Sequence, residues 1–204
     1  MSSSIFAAPV EQVNDAGLTV LFLHGLEGSP EGDKSTHLKE KWGGKTPVLR
    51  TAQLLNLKSE HSSLDWQSLP RNELNSAVNV VYQDALSALN YCSPDVVIGS
   101  SMGGAILAKL IAEERWSGPS VFLAPAIDML LGFDFVLGKV PNAVWLLGEF
   151  DQIVRNDLNK IRCRKTGGSL MVSPEDSHRL HKALASGLID CAITTVLEMN
   201  ETDI

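Results

Sequence analysis

The segment Gly99-Ser100-Ser101-Met102-Gly103 sets a serine between two glycines, each two residues away. An apolar run precedes it and a helix-forming run follows. At a sharp strand-to-helix turn this pattern holds the central serine exposed, and the glycines relieve the crowding that the turn creates. The helix start behind it offers free N–H groups and a positive dipole end, suited to developing negative charge. A serine hydroxyl is a weak nucleophile until a base takes its proton. The chain has five histidines: His24, His37, His61, His178 and His181. His178 follows the last apolar run. His37 falls in an expected surface helix and His61 in a polar loop, where solvation accounts for both. His181, one helical turn beyond His178, is the main rival for the base, and a His178/His181 metal pair lacks further ligands. The base needs a carboxylate to fix its tautomer. Asp151, in Gly148-Glu149-Phe150-Asp151, follows another apolar run; Glu149 and Asp128 are lesser candidates. For the oxyanion of a tetrahedral intermediate, the expected donors are the backbone N–H groups of Met102, just after the serine, and Leu26, in His24-Gly25-Leu26. His24 is expected to shape that loop rather than move protons, and Gly25 to let backbone and substrate approach. Read singly, Ser101 fits a packing turn and Asp151 a turn or helix cap. Their joint placement, each after a separate apolar run, points to acyl transfer.

The elements that must position these groups alternate along the chain. Short apolar runs, each followed by a turn and a stretch of helical period, predict strands joined by crossover helices, hence a mostly parallel sheet covered on both faces. Expected strands are Leu18–Leu23, Pro47–Ala52, Asp95–Gly99, Ser120–Ala124, Ala143–Leu147 and Ser169–Val172. The fold class is therefore α/β, a three-layer sandwich with about six strands. The clearest helix runs from Arg71 to Asn90, where Leu74, Ala77, Val78, Val81, Tyr82 and Ala85 share one face. Further helices are expected over Lys34–Trp42, Met102–Arg115, Asn156–Lys165 and Asp176–Ser186, with a last one carrying Ile189, Ala192, Ile193, Val196 and Leu197. Gln53–Pro70 reads as a long polar loop bordering the site. Pro125–Pro141 is apolar without period, with room for a helical turn over the site. A parallel sheet brings all strand C-termini to one edge, so Ser101, Asp151 and His178 open on the same side.

Composition narrows the classes. The 204 residues predict one domain spanning 1–204, and 44% hydrophobic with 20% charged residues is an ordinary globular balance. Lys plus Arg number 17 against 24 Asp plus Glu, a formal charge of −7, which disfavours nucleic acid and an anionic membrane surface as partners. The three cysteines, Cys92, Cys163 and Cys191, are odd in number and widely spaced, arguing against a disulfide framework or a structural zinc site. The first ten residues lack the basic start and apolar run of a secretory signal, and no apolar stretch is long enough to span a membrane. A cytoplasmic location is the expectation; the oligomeric state stays open.

Leu23-His24-Gly25, Gly99-Ser100-Ser101-Met102-Gly103, Gly148-Glu149-Phe150-Asp151-Gln152-Ile153-Val154 and His178 together resemble the α/β-hydrolase superfamily, in its order and spacing, from about Leu18 to His178. The compact length and the loop Gly25-Leu26-Glu27-Gly28-Ser29-Pro30 are similar to small bacterial esterases without a large cap domain. The resemblance implies an eight-stranded sheet in full-length members. Here only 17 residues precede the first apolar run, so the two N-terminal strands are expected to be missing. It implies a serine hydrolase with the triad Ser101, Asp151 and His178, acting on a small acyl ester or thioester without metal or organic cofactor. An acyltransferase, a peptidase or a carbon–carbon hydrolase with the same triad stands as an alternative, as does a non-catalytic binding module on the same scaffold.

Overall fold

The structure of the chain, a computed structural model, describes residues 17–60, 66 and 68–202. The N-terminal decapeptide and residues 61–65 and 67 of the expected polar loop lie outside the described residues.

Five strands, β1 (Val20–Leu23), β2 (Val96–Ser100), β3 (Ser120–Leu123), β4 (Ala143–Gly148) and β5 (Ser169–Ser173), form one parallel sheet in chain order. The register pairs Val20 with Val96, Val97 with Ser120, Ser120 with Ala143 and Val144 with Ser169. Side chains alternate between two cores. Leu21, Leu23, Val97, Phe122 and Trp145 face one, with Phe122 and Trp145 stacked at 4.3 Å between ring centroids. Val20, Phe22, Ile98, Val121, Val144 and Leu146 face the other. Because both faces are covered, the inner strands read as unbroken apolar runs rather than alternating ones.

The first core is covered by α2 (Ala52–Glu60), α3 (Arg71–Cys92), α4 (Met102–Ala112), α5 (Ile127–Leu131) and Cys163 of α6 (Asn156–Thr166). The second is covered by α1 (Asp33–Trp42), α7 (His181–Ala185) and α8 (Leu188–Thr202). This division follows from crossover handedness. Connections that step from β1 towards β5 place their helices on one face. The connection out of β1 steps the other way, through α1 to Lys45, and so lies on the opposite face. Lys45 makes a single parallel bridge to Leu21, its N–H donating to Val20 O at 2.8 Å and its O accepting from Phe22 N–H at 2.9 Å.

The expected strand Pro47–Ala52 is thus reduced to one bridge before it starts. Pro47 has no N–H to continue the ladder. The loop expected over Gln53–Pro70 begins instead as α2, whose Leu54 and Leu57 are buried against the first core. The helix expected over Asp176–Ser186 is shortened to α7. Leu180 takes a left-handed φ of 54°, and the Asp176 carboxylate accepts the N–H of Ala183 at 2.8 Å, so the helix starts a turn late.

Candidate active site

The site opens where the connections leaving β1 and β2 part to opposite faces, the position at which open parallel sheets bind ligands. Ser101 joins β2 directly to α4 with φ 53° and ψ −111°, a conformation costly for a residue with a Cβ. It is held there by backbone bonds on both sides: its N–H donates to Leu123 O at 2.9 Å, and its O accepts from Ala126 N–H at 3.0 Å. The flanking glycines are obligatory for steric reasons. A Cβ on Gly103 would lie 1.9 Å from Leu23 O, and one on Gly99 2.5 Å from Gly103 O. Gly104, which sequence reasoning passed over, is also crowded, though less so: its Cβ would meet Pro125 Cβ at 2.7 Å. The turn therefore packs its backbone against β1 and the start of the β3–α5 loop, and the serine is the side chain left to point out.

His178 Nε2 lies 2.8 Å from Ser101 Oγ, and His178 Nδ1 lies 2.8 Å from Asp151 Oδ2. The Asp151 side chain is fully buried and that of His178 is 17% exposed. Since a carboxylate only accepts, Nδ1 carries the proton and Nε2 is free to accept from the serine hydroxyl. The other oxygen of Asp151 accepts two backbone N–H groups, from Ile153 at 2.8 Å and Val154 at 3.0 Å. One oxygen of Asp151 thus serves the local turn and the other faces His178.

The His178 loop rests on Gly148, where a Cβ would come within 2.4 Å of Ser177 O. It is pinned by Asp176, which accepts from Ser173 Oγ at 3.0 Å and Ser177 N–H at 2.9 Å. Burial pushes the Asp176 carboxyl up, but its backbone and hydroxyl donors outweigh burial and hold it below the usual carboxylate range. Asp176 was missed in the sequence. Its signal is the Ser-Pro-Glu-Asp turn chemistry that ends two residues before the histidine.

The rival residues go elsewhere. His37 bonds Asp190 at 2.9 Å, and His61 lies outside the described residues. His181 borders the cavity but stands in α7, while among the described histidines His178 is the one hydrogen-bonded to Ser101. Glu149 accepts the Glu175 N–H at 2.8 Å. Asp128 pairs with Arg162 at 2.5 Å, and burial raises its carboxyl against that pull. Among the described residues no group of three or more His, Cys, Asp or Glu is placed to hold a metal ion, and no helix is long and apolar enough to cross a membrane.

His24 is buried, and its Nδ1–H donates to Gly25 O at 2.8 Å; the Gly28 N–H donates to the same oxygen at 3.0 Å. The Gly25–Leu26 peptide is trans, so anchoring its C=O aims the Leu26 N–H the opposite way. Neither the Leu26 nor the Met102 N–H donates to a described residue, and both residues line a cavity of about 460 Å³ that also holds Ser101 and His178. Leu54, Trp66, Met129, Leu130 and Ile153 supply apolar wall. Glu27 at the rim is held below the usual carboxylate range by its hydrogen bond and charge contact with Lys58, 2.6 Å away. The arrangement holds a hydroxyl, an imidazole within hydrogen-bond distance of it and two directed N–H groups around one cavity.

No protein-family model matches the chain, and a search of curated proteins finds no match. Solved structures do match. A protein from Xanthomonas campestris pv. campestris assigned to the alpha/beta hydrolase superfamily superposes with a TM-score of 0.63 at 19% identity, over 90% of this chain and 97% of that one. Est1E from Butyrivibrio proteoclasticus, with ferulic acid bound, gives 0.64 at 13% identity over 91% and 90%. An alpha-beta serine hydrolase homologue from Coxiella burnetii gives 0.60 at 17% over 87% and 84%. At these identities the likeness concerns the fold, and the fold is that of the α/β hydrolases.

Proposed function

We propose that the chain is a serine hydrolase that cleaves a carboxylic ester or thioester through an acyl-enzyme on Ser101. The observation that carries this reading is the unbroken hydrogen-bond chain Ser101–His178–Asp151, 2.8 Å at each link, opening into a cavity. Ser101 Oγ attacks the acyl carbonyl as His178 Nε2 takes the hydroxyl proton. Asp151 holds the imidazole in the reactive tautomer and stabilises the imidazolium. The negative charge that develops on the carbonyl oxygen is received by the N–H groups of Leu26 and Met102; each such donor commonly contributes about 3 kcal/mol to the transition state. Collapse breaks the bond to the leaving oxygen or sulfur, which takes the proton from His178. Water then gives a proton to His178, adds to the acyl carbon, and releases the acid with Ser101 reprotonated. A structural neighbour described among metagenome-derived lipolytic enzymes, and one described as an alpha-beta serine hydrolase homologue, support the reading at the level of the fold.

The test is labelling with a fluorophosphonate probe, read by peptide mass. The expected result is one adduct on Ser101, abolished in Ser101→Ala. A folded wild-type protein that takes no label at Ser101 overturns the reading. On p-nitrophenyl esters from acetate to palmitate, short acyl chains are expected to be preferred, because about 460 Å³ must hold acyl and leaving group together. An optimum at palmitate overturns that preference.

A further inference from the structure

Lys34, in the first turn of α1, lines the same cavity as Ser101 and His178. Its ammonium donates to the carbonyl of Arg179, the residue next to His178, at 2.5 Å. That uses one of three donors. The carboxylates that act on it, Asp176 and Asp33, lie beyond salt-bridge distance. Asp176 is already committed to Ser173, Ser177 and Ala183. Burial pulls the Lys34 ammonium below the ordinary lysine range, as expected for a desolvated cation with no counter-ion in contact among the described residues.

The neighbouring cations are differently placed. Lys58 is paired with Glu27, and Arg179 reaches the same carboxylate only loosely, at 3.5 Å, with its side chain 71% exposed. The cavity wall therefore carries Lys34, Lys58 and Arg179 against Glu27 and Asp33. A local positive excess in a chain of formal charge −7 runs against the composition. His178 delivers its proton to the leaving atom, and Lys34 joins the same cavity wall through the carbonyl of Arg179, the residue after His178.

We propose that this cavity selects esters or thioesters bearing an anionic group, a carboxylate or a phosphate, on the leaving-group side, and that Lys34 is the specificity-determining residue. This rests on the serine hydrolase reading above. A charge-assisted bond from Lys34 to the anion supplies the contact that no described carboxylate makes, and an adjoining donor is available from Arg179.

The experiment compares 4-acetoxybenzoate with its methyl ester, which share the acyl group and scissile bond and differ by one charge. The readout is the ratio of their kcat/KM values in each protein, so intrinsic reactivity cancels. Lys34→Met is expected to lower the ratio about tenfold, the typical scale for one hydrogen bond to a charged group, and Lys34→Arg to retain it within about threefold. 4-Acetoxyphenyl phosphate, run against phenyl acetate, identifies the preferred anion by the larger change. An unchanged ratio in Lys34→Met overturns the proposal, because a residue that merely positions the His178 loop lowers both rates together. Should Lys34→Met not fold, the wild type decides. Added NaCl is expected to lower kcat/KM for the anionic ester more than for the neutral one, and equal salt dependence overturns the proposal. Turnover with an unchanged ratio defeats this inference alone; no turnover of either ester and no Ser101 labelling defeats the hydrolase reading with it.

Discussion

Replacing Asp151 by asparagine separates the two tasks of that side chain. In the wild type one oxygen accepts from His178 Nδ1 and the other accepts the N–H groups of Ile153 and Val154. Asparagine has one acceptor end and one donor end. Turning its NH2 towards Ile153 and Val154 sets it against two backbone donors in a fully buried position, at a cost of several kcal/mol. The carbonyl end must therefore stay on those two, and the NH2 faces His178. The imidazole then accepts at Nδ1 and carries its proton on Nε2, where it can no longer take one from Ser101 Oγ. The loss expected is that of a base in the wrong tautomer, about 10⁴-fold in kcat, or about 5.5 kcal/mol of barrier. The fold is little disturbed, because both backbone bonds survive. The assay is kcat on p-nitrophenyl acetate and the fluorophosphonate labelling rate, with thermal melting in parallel. Activity within tenfold of wild type, on a protein that melts normally, would refute the tautomer reasoning and the role of Asp151 with it.

His24→Leu is expected to lower kcat up to about a hundredfold by loosening the Gly25–Leu26 peptide, while the pH profile of kcat/KM keeps its shape; a lost titrating limb would make His24 a base. Gly103→Ala is expected to cost more than about 3 kcal/mol or to prevent soluble expression, because the new Cβ has only β1 backbone to meet, at 1.9 Å. Gly138→Ala, where nothing lies within 4 Å, is expected to shift stability by less than about 0.5 kcal/mol, and equal melting of the two variants would contradict the steric account. Asp190 ties α8 to α1 through Trp42, His37 and Lys41; burial raises its carboxyl, but these three donors outweigh burial and hold it below the ordinary value of 3.8. A depressed folded value means stability that is full above the ordinary value and is lost as pH falls through the folded one. Asp190→Asn is thus expected to cost about 1–2 kcal/mol at pH 7, with the gap in melting temperature narrowing below pH 4; a gap independent of pH refutes the linkage.

Much of the molecule is legible in the chain because the information is local. Unbroken apolar runs such as Ala143–Leu147 mark strands covered on both faces, and the face of α3 repeats with helical period. Gly99 and Gly103 signal a turn that only glycine can pack. What failed to read locally has a non-local cause. Leu54 and Leu57 are too sparse to announce α2, and they are buried because the first core lies beneath them. Pro47–Ala52 has strand composition, but its proline meets the ladder at the one place where a donor is needed. The turn before α7 depends on Asp176 reaching forward to Ala183, a contact that periodicity cannot express.

By itself the sequence marked the five strands that form the sheet, most of the helices, the glycine turn, and a serine, a carboxylate and an imidazole as candidates to act together, since spacing and residue type set backbone conformation over a few residues. Only the tertiary structure decided which imidazole nitrogen meets which oxygen, that the Gly25 carbonyl is anchored so that the Leu26 N–H turns outward, and that Lys34 stands beside the His178 loop. The imidazole contacts and the Lys34 placement are distances between segments tens of residues apart, set by how the helices and loops pack at the strand ends; the Gly25 carbonyl is anchored within its own loop, by a His24 rotamer and a Gly28 turn that residue type alone does not fix.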